Sequence, residues 1–173
     1  MLQFLFRRLT AEPRRGAALF ESVNAAARQP HWYVEGQVPD TIDGRFAVLA
    51  TLLALVLVRL ERFGDDGNPA SVALTERFIE VMEAEHRELG LGDPTLGKTV
   101  RKLVGSLARR TELWRSAVAD EDWTTGILGA TRATLYAQQP DAAPLDHSAA
   151  RLRSLWSELE TVELADIEQG RLG

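Results

Sequence analysis

The chain has no cysteine and only three histidines in 173 residues. The first absence excludes a disulfide framework, a thiol nucleophile and any thiolate metal site, and it fits a reducing compartment. The second leaves little for metal chemistry. One Glu-x-x-His pair occurs, Glu83 with His86, but there is no HExxH, no second such pair and no larger carboxylate–histidine cluster at metal spacing. Glu83 and His86, three residues apart, share a helix face, but Glu85 lies off it, and one carboxylate with one histidine is too few ligands for a metal. His86 itself falls on the apolar side of its segment, where a packed or capped histidine is the expectation. Lysine is scarce as well: the basic residues are arginine except Lys98 and Lys102, a composition typical of a GC-rich bacterial genome.

Other absences narrow the function further. No serine nucleophile elbow is present. Gly90-Leu91-Gly92 matches only the start of a phosphate loop and has no strand before it. Asp40 and Asp43 have the residue types of an acid–base pair, yet they stand at a helix start, where capping explains them better. The reading therefore assigns no catalytic residue, no metal and no cofactor. Nothing at the N-terminus resembles an export signal, since Leu2–Phe6 is too short for its apolar region and no positive charge precedes it. A cytoplasmic bacterial protein that binds another protein is the expectation.

What is present reads as helix throughout. At 45% hydrophobic and 26% charged the composition is globular, and the length suits one domain. No stretch alternates with period two, and no internal repeat is found. Leu2–Leu9 is apolar with Arg7 and Arg8, and two readings stand: packing onto the domain, or an interfacial foot on anionic lipid. Ala17–Arg28 reads as a helix stopped by Pro30. From Phe46 to Val58 every residue but Thr51 is apolar. Thirteen residues span about 20 Å, short of a bilayer core, so this segment is expected to be a buried central helix.

Gly64 to Pro69 reads as a turn. The next helix, near Ser71–Leu89, is expected to bury Val72, Thr75, Phe78, Ile79, Met82, His86 and Leu89. Asp93-Pro94 then opens a helix with Asp93 as cap. Its apolar face is Leu96, Val100, Leu103, Val104, Leu107, Thr111 and Trp114. The other face is basic, with Lys98, Arg101, Lys102, Arg109, Arg110 and Arg115. Asp120 is expected to cap a helix to Tyr136, Pro140 and Pro144 to form a loop, and His147–Leu164 to close the fold before a frayed end. The fold class is all-α, a compact bundle of five to seven helices around one apolar helix. Residues 1–30 form an N-terminal helical arm, 31–136 the core, and 137–173 a C-terminal loop and helix of the same domain.

Two segments carry more than composition. Val38-Pro39-Asp40-Thr41-Ile42-Asp43-Gly44-Arg45-Phe46 leads into the apolar helix, with Asp40 as its expected cap. Leu91-Gly92-Asp93-Pro94-Thr95-Leu96-Gly97-Lys98 leads into the basic one. In this order and separation the pair resembles the ubiquinol–cytochrome c chaperone family over roughly His31–Tyr136. One departure is that Gln37 stands where that family's pattern has glycine before Val-Pro-Asp, the glycine here being Gly36.

The resemblance implies a non-catalytic chaperone that binds newly synthesised cytochrome b and assists assembly of respiratory complex III. In that role Tyr33, Pro39, Asp40, Asp43, Gly44, Arg45 and Phe46 are the candidate client site, a groove for an apolar helix with charged flanks; the rival reading is that these residues are purely structural. Gly44 in a helix's first turn implies a second backbone packed close by, and Arg45 can tie Asp40 and Asp43 together. The basic surface of Lys98, Arg101, Lys102 and Arg109 would face acidic client loops, the ribosome or the anionic inner membrane, or is simply a solvated face. The rival reading is a small helical nucleic-acid-binding regulator using residues 98–115. The net charge of −5 and the lack of a helix-turn-helix disfavour it, and no specific DNA is expected.

Overall fold

A computed structural model describes residues 15–88, 90, 93–120 and 123–173. Leu2–Leu9 and Leu89 lie outside the described residues. Among the described residues seven α-helices make up the bundle: α1 (Ala17–Ala27), α2 (Ile42–Glu61), α3 (Asn68–Glu88), α4 (Asp93–Ala119), α5 (Trp123–Leu135), α6 (Ala142–Thr161) and α7 (Leu164–Glu168). No strand occurs among the described residues.

Helix α2 is the axis, packed by α1, α3, α4, α5 and α6. Val48 to Val58 is buried on every side of it, which is what an all-round apolar helix requires. Among the described residues no helix is long and apolar enough to cross a membrane. Trp114 and Trp156 fill the space between α2 and its neighbours and are almost wholly buried. Arg59, near the end of α2, donates through Nε to the Leu159 carbonyl (2.7 Å) and through Nη2 to that of Val162 (3.1 Å). It thereby adds a second donor to the Leu159 carbonyl, which also accepts the Val162 N–H, and ties the ends of α2 and α6 together.

Several boundaries differ from expectation for identifiable reasons. The cap of α2 is Thr41, not Asp40. Thr41 is extended, and its Oγ1 accepts the Gly44 N–H at 3.2 Å, the usual cap-to-N3 bond. That frees Asp40 to pair with Arg45. Helices α3 and α6 begin earlier than read, and Pro69 and Pro144 sit in their first turns, where a missing N–H costs nothing. In α3 the buried face is Ala70, Ala73, Leu74, Phe78 and Met82, and Val72 is 56% exposed. Alanine widened the packed stripe by one position and rotated the helix away from Val72. The C-terminal end is docked rather than frayed: Ile167 is buried and Gly170 lies against the Ala18 carbonyl of α1.

The segment between α1 and α2 is pinned at both ends. The Trp32 indole N–H donates to the Ala26 carbonyl and the Tyr33 hydroxyl to that of Ala27, each at 2.9 Å. These bonds close the open end of α1. Further on, a methyl added at Gly36 would sit 2.6 Å from both the Trp32 carbonyl oxygen and Ser148 Oγ. The Tyr136 hydroxyl meets the Gly36 carbonyl oxygen at 2.6 Å, which ties the loop to α5 and α6. Gln37 then adopts φ 50°, a left-handed conformation that glycine accepts without strain. Gln37→Gly is expected to stabilise the fold slightly, by at most about 1 kcal/mol after the entropy of the more flexible unfolded chain is subtracted. Thermal melting checks this, and a clear loss would contradict it.

A candidate client cleft and the family it belongs to

The pinned loop, the start of α2 and the end of α3 enclose a cleft of about 770 Å³. Phe46 and Leu49 of α2, Met82 of α3 and Leu103 of α4 supply its apolar lining. Asn24, Ala27 and Arg28 of α1 form one wall, and Tyr33 and Val34 continue it. Asp40, Ile42, Asp43 and Arg45 form the opposite rim, while Glu85 and His86 close the α3 side. Val34 is 67% exposed and Ile42 72% exposed. Both aliphatic groups stand open to water beside the hollow.

The rim is shaped by charge and by one missing side chain. Arg45 Nε lies 2.6 Å from Asp40 Oδ1. This hydrogen bond holds the Asp40 carboxyl below its ordinary value, and the same bond raises Arg45. Both groups are open to solvent, so the pair orients the rim more than it stabilises the fold. An ionised Asp40 is also a poor proton donor at neutral pH. At Gly44 a methyl group would fall on the Pro39 carbonyl oxygen, so the nearby backbone expected at this glycine is that of Pro39. The Tyr33 hydroxyl is committed to α1, and burial raises it above its ordinary value. Only the flank of its ring is left for the cleft. His86 donates from Nδ1 to the Met82 carbonyl at 2.7 Å, which fixes the ring at the cleft's edge.

Thus Tyr33, Asp40, Asp43, Arg45 and Phe46 come together around one hollow. Pro39 and Gly44 stand behind it as the close backbone crossing. The basic residues of α4 divide. Lys98, Arg101, Lys102 and Arg109 are exposed. Arg110 is not on that outer face: it is half-buried, donates to the Thr134 carbonyl at 3.0 Å and approaches the Phe46 ring at 5.7 Å. Arg115 is held by Glu61 at 2.8 Å and by Glu112. Helical period alone placed both outward, but the neighbouring helices supply partners that turn them inward or neutralise them.

The family model for the ubiquinol–cytochrome c chaperone matches residues 34–172. The chain belongs to that family. Membership makes it a chaperone concerned with assembly of respiratory complex III. The crystal structure of the Cbp3 homolog from Brucella abortus has the same fold, with TM-score 0.76 at 24% identity over 98% of this chain and 94% of that one. No curated protein sequence matches the chain.

In this chaperone several cleft residues lie outside the quoted motifs. Asn24, Ala27 and Arg28 come from α1, and Met82, Glu85 and His86 from α3. Only tertiary packing brings them to the loop. The signal available in the sequence was Ile42, an aliphatic residue in the exposed first turn, and His86, a polar residue on an apolar stripe.

One further polar contact lies in the same loop. His147 Nε2 of α6 lies 3.3 Å from His31 Nδ1, and His31 also packs on Trp32. Burial lowers His31 below its ordinary 6.5, and the charges of Arg151 and His147 lower it further, partly offset by Glu35. A histidine depressed in the folded state binds fewer protons there than when unfolded, so stability rises with pH. The contribution is complete above pH 6.5 and declines below it, as pH falls through the depressed value. Melting temperature is therefore expected to fall between pH 7.5 and 5.5, and His31→Gln to flatten that slope. An unchanged slope in the variant would assign the effect elsewhere.

Proposed function

We propose that this chaperone holds newly synthesised cytochrome b by taking one face of an apolar client helix into the cleft, and releases it for complex III assembly. The observation that carries the reading is the combination at the cleft. Phe46, Leu49, Met82 and Leu103 form its apolar lining, Val34 and Ile42 stand exposed at its mouth, and Asp43, Glu85 and Arg28 carry charge around it. A helix presenting apolar residues at i, i+3, i+4 and i+7 fits such a groove, and its charged flanks meet the rim. The volume lies in the range of ordinary ligand sites, so it takes a row of side chains and leaves the rest of the client helix outside.

The exposed Lys98, Arg101, Lys102 and Arg109 give α4 a separate face for an acidic client loop, the ribosome or the anionic inner-membrane surface. In this reading the protein is cytoplasmic and peripheral to the membrane where cytochrome b is inserted. Binding is the whole task, with no bond made or broken. Deleting the gene is expected to deplete assembled complex III several-fold while leaving the cytochrome b transcript at its normal level. Normal amounts of the assembled complex in the deletion strain would refute the reading.

A further inference from the structure

The sequence before Arg15 reads MLQFLFRRLTAEPR. Leu2, Leu5, Phe6 and Leu9 stand at i, i+3, i+4 and i+7, the spacing by which helical ligands enter grooves. Arg7 and Arg8 lie among them. The chaperone thus carries, on its own chain, a segment with the chemistry that its cleft is read to accept.

We propose that residues 1–14 occupy the client cleft when no client is bound, as a tethered self-ligand that a client must displace. The proposal rests on the reading of the cleft as a client site. Reach favours it. The segment joins α1 at the end away from the cleft, and α1 arrives at the cleft with Asn24, Ala27 and Arg28. Eleven helical residues cover about 16 Å, and the five residues Thr10–Arg14 cover a similar ~16 Å when extended. That length is enough for Leu2–Leu9 to reach the hollow.

Charge favours it as well. Asp40 is taken by Arg45, whereas Asp43 and Glu85 make no ion pair among the described residues and can meet Arg7 and Arg8. Docking also covers Val34 and Ile42, which are otherwise left to water. A short tether gives an effective concentration on the order of millimolar, so modest intrinsic affinity is enough to fill the cleft. A client then binds with its affinity reduced by the fraction of clefts already occupied.

Because the chain has no cysteine, full-length double variants test the docking directly. Phe6→Cys with Ile42→Cys is expected to close within one chain under a short bismaleimide at low protein concentration. Phe6→Cys with Val72→Cys, on another face, is expected to stay open. In parallel, a fluorescent helical peptide with leucine at i, i+3, i+4 and i+7 and arginine flanks serves as probe. The full-length Leu5→Asp/Phe6→Asp variant is expected to bind it roughly tenfold tighter than the unaltered chain.

The proposal is overturned if the 6–42 pair stays open, or if it closes only between two chains. Equal probe affinity for the two proteins, with measurable binding to both, also overturns it. Capture of the unaltered chain by phosphatidylglycerol vesicles, lost in Leu5→Asp/Phe6→Asp while the 6–42 pair stays open, makes the segment a membrane foot instead. If the 6–42 pair closes but the probe binds neither protein, the self-docking stands and the client reading of the cleft fails.

Discussion

Gly44→Ala is expected to lower stability by roughly 3 kcal/mol or more, the range of severe overpacking in a constrained site. The added methyl lands on the Pro39 carbonyl, and neither partner can yield cheaply. Gly44 is N3 of α2, held by the Thr41 cap and followed by the buried helix. Pro39 is fixed in φ by its ring, and its carbonyl accepts the Thr41 N–H at 2.8 Å. Relief requires the 39–44 turn to open, which breaks the cap and displaces Arg45 from Asp40. Chemical denaturation should show a lower midpoint with unchanged slope. A variant as stable as the parent would mean the turn is looser than this geometry.

Ile42→Asp is expected to act the other way, leaving the fold intact and removing the client. Ile42 is the first residue of α2, 72% exposed, so an aspartate there loses little packing. It even favours the positive end of the helix dipole by a few tenths of a kcal/mol. At the mouth of the cleft, however, a new carboxylate beside Asp43 faces an apolar client helix. Loss of an aliphatic contact at the mouth together with burial of an unpaired charge under the client costs on the order of 2–4 kcal/mol. The client affinity should fall by roughly 30- to 1,000-fold, read as Kd by fluorescence titration, with the melting temperature unchanged. Together the two variants separate the turn that builds the cleft from the surface that uses it.

How much of this was legible in the residues follows from the range of each interaction. The central helix could be read directly, because a run apolar on all sides and too short for a bilayer core belongs inside the bundle. Trp114 and Trp156 were placed correctly by period alone. The cap of α2 was misread because Asp40 and Thr41 are both good caps. The choice depends on Arg45, which binds Asp40 from one turn further along. Val72 was misread because alanines at 70 and 73 gave no apolar signal, though they pack as tightly as leucine would against a close neighbour. The cleft itself was only half legible. Its loop side is contiguous in sequence and carries the family motif, whereas Arg28, Met82, Glu85 and His86 reach it from helices whose crossing no local pattern specifies. Gln37 shows the opposite case. Its left-handed φ of 50° is adopted by a residue that does not advertise it, while the adjacent glycine, Gly36, serves a close packing contact instead.

The central claim concerns where the client touches. A photo-crosslinking residue placed at position 34, 42 or 72 of the full chain, in cells making cytochrome b, tests it most directly. All three positions are exposed and aliphatic in the native chain, so general stickiness would label them alike. Capture of newly synthesised cytochrome b from 34 and 42 but not from 72 is the expected result. Equal capture from 72, or capture from 72 alone, would place the client on another face and contradict the account.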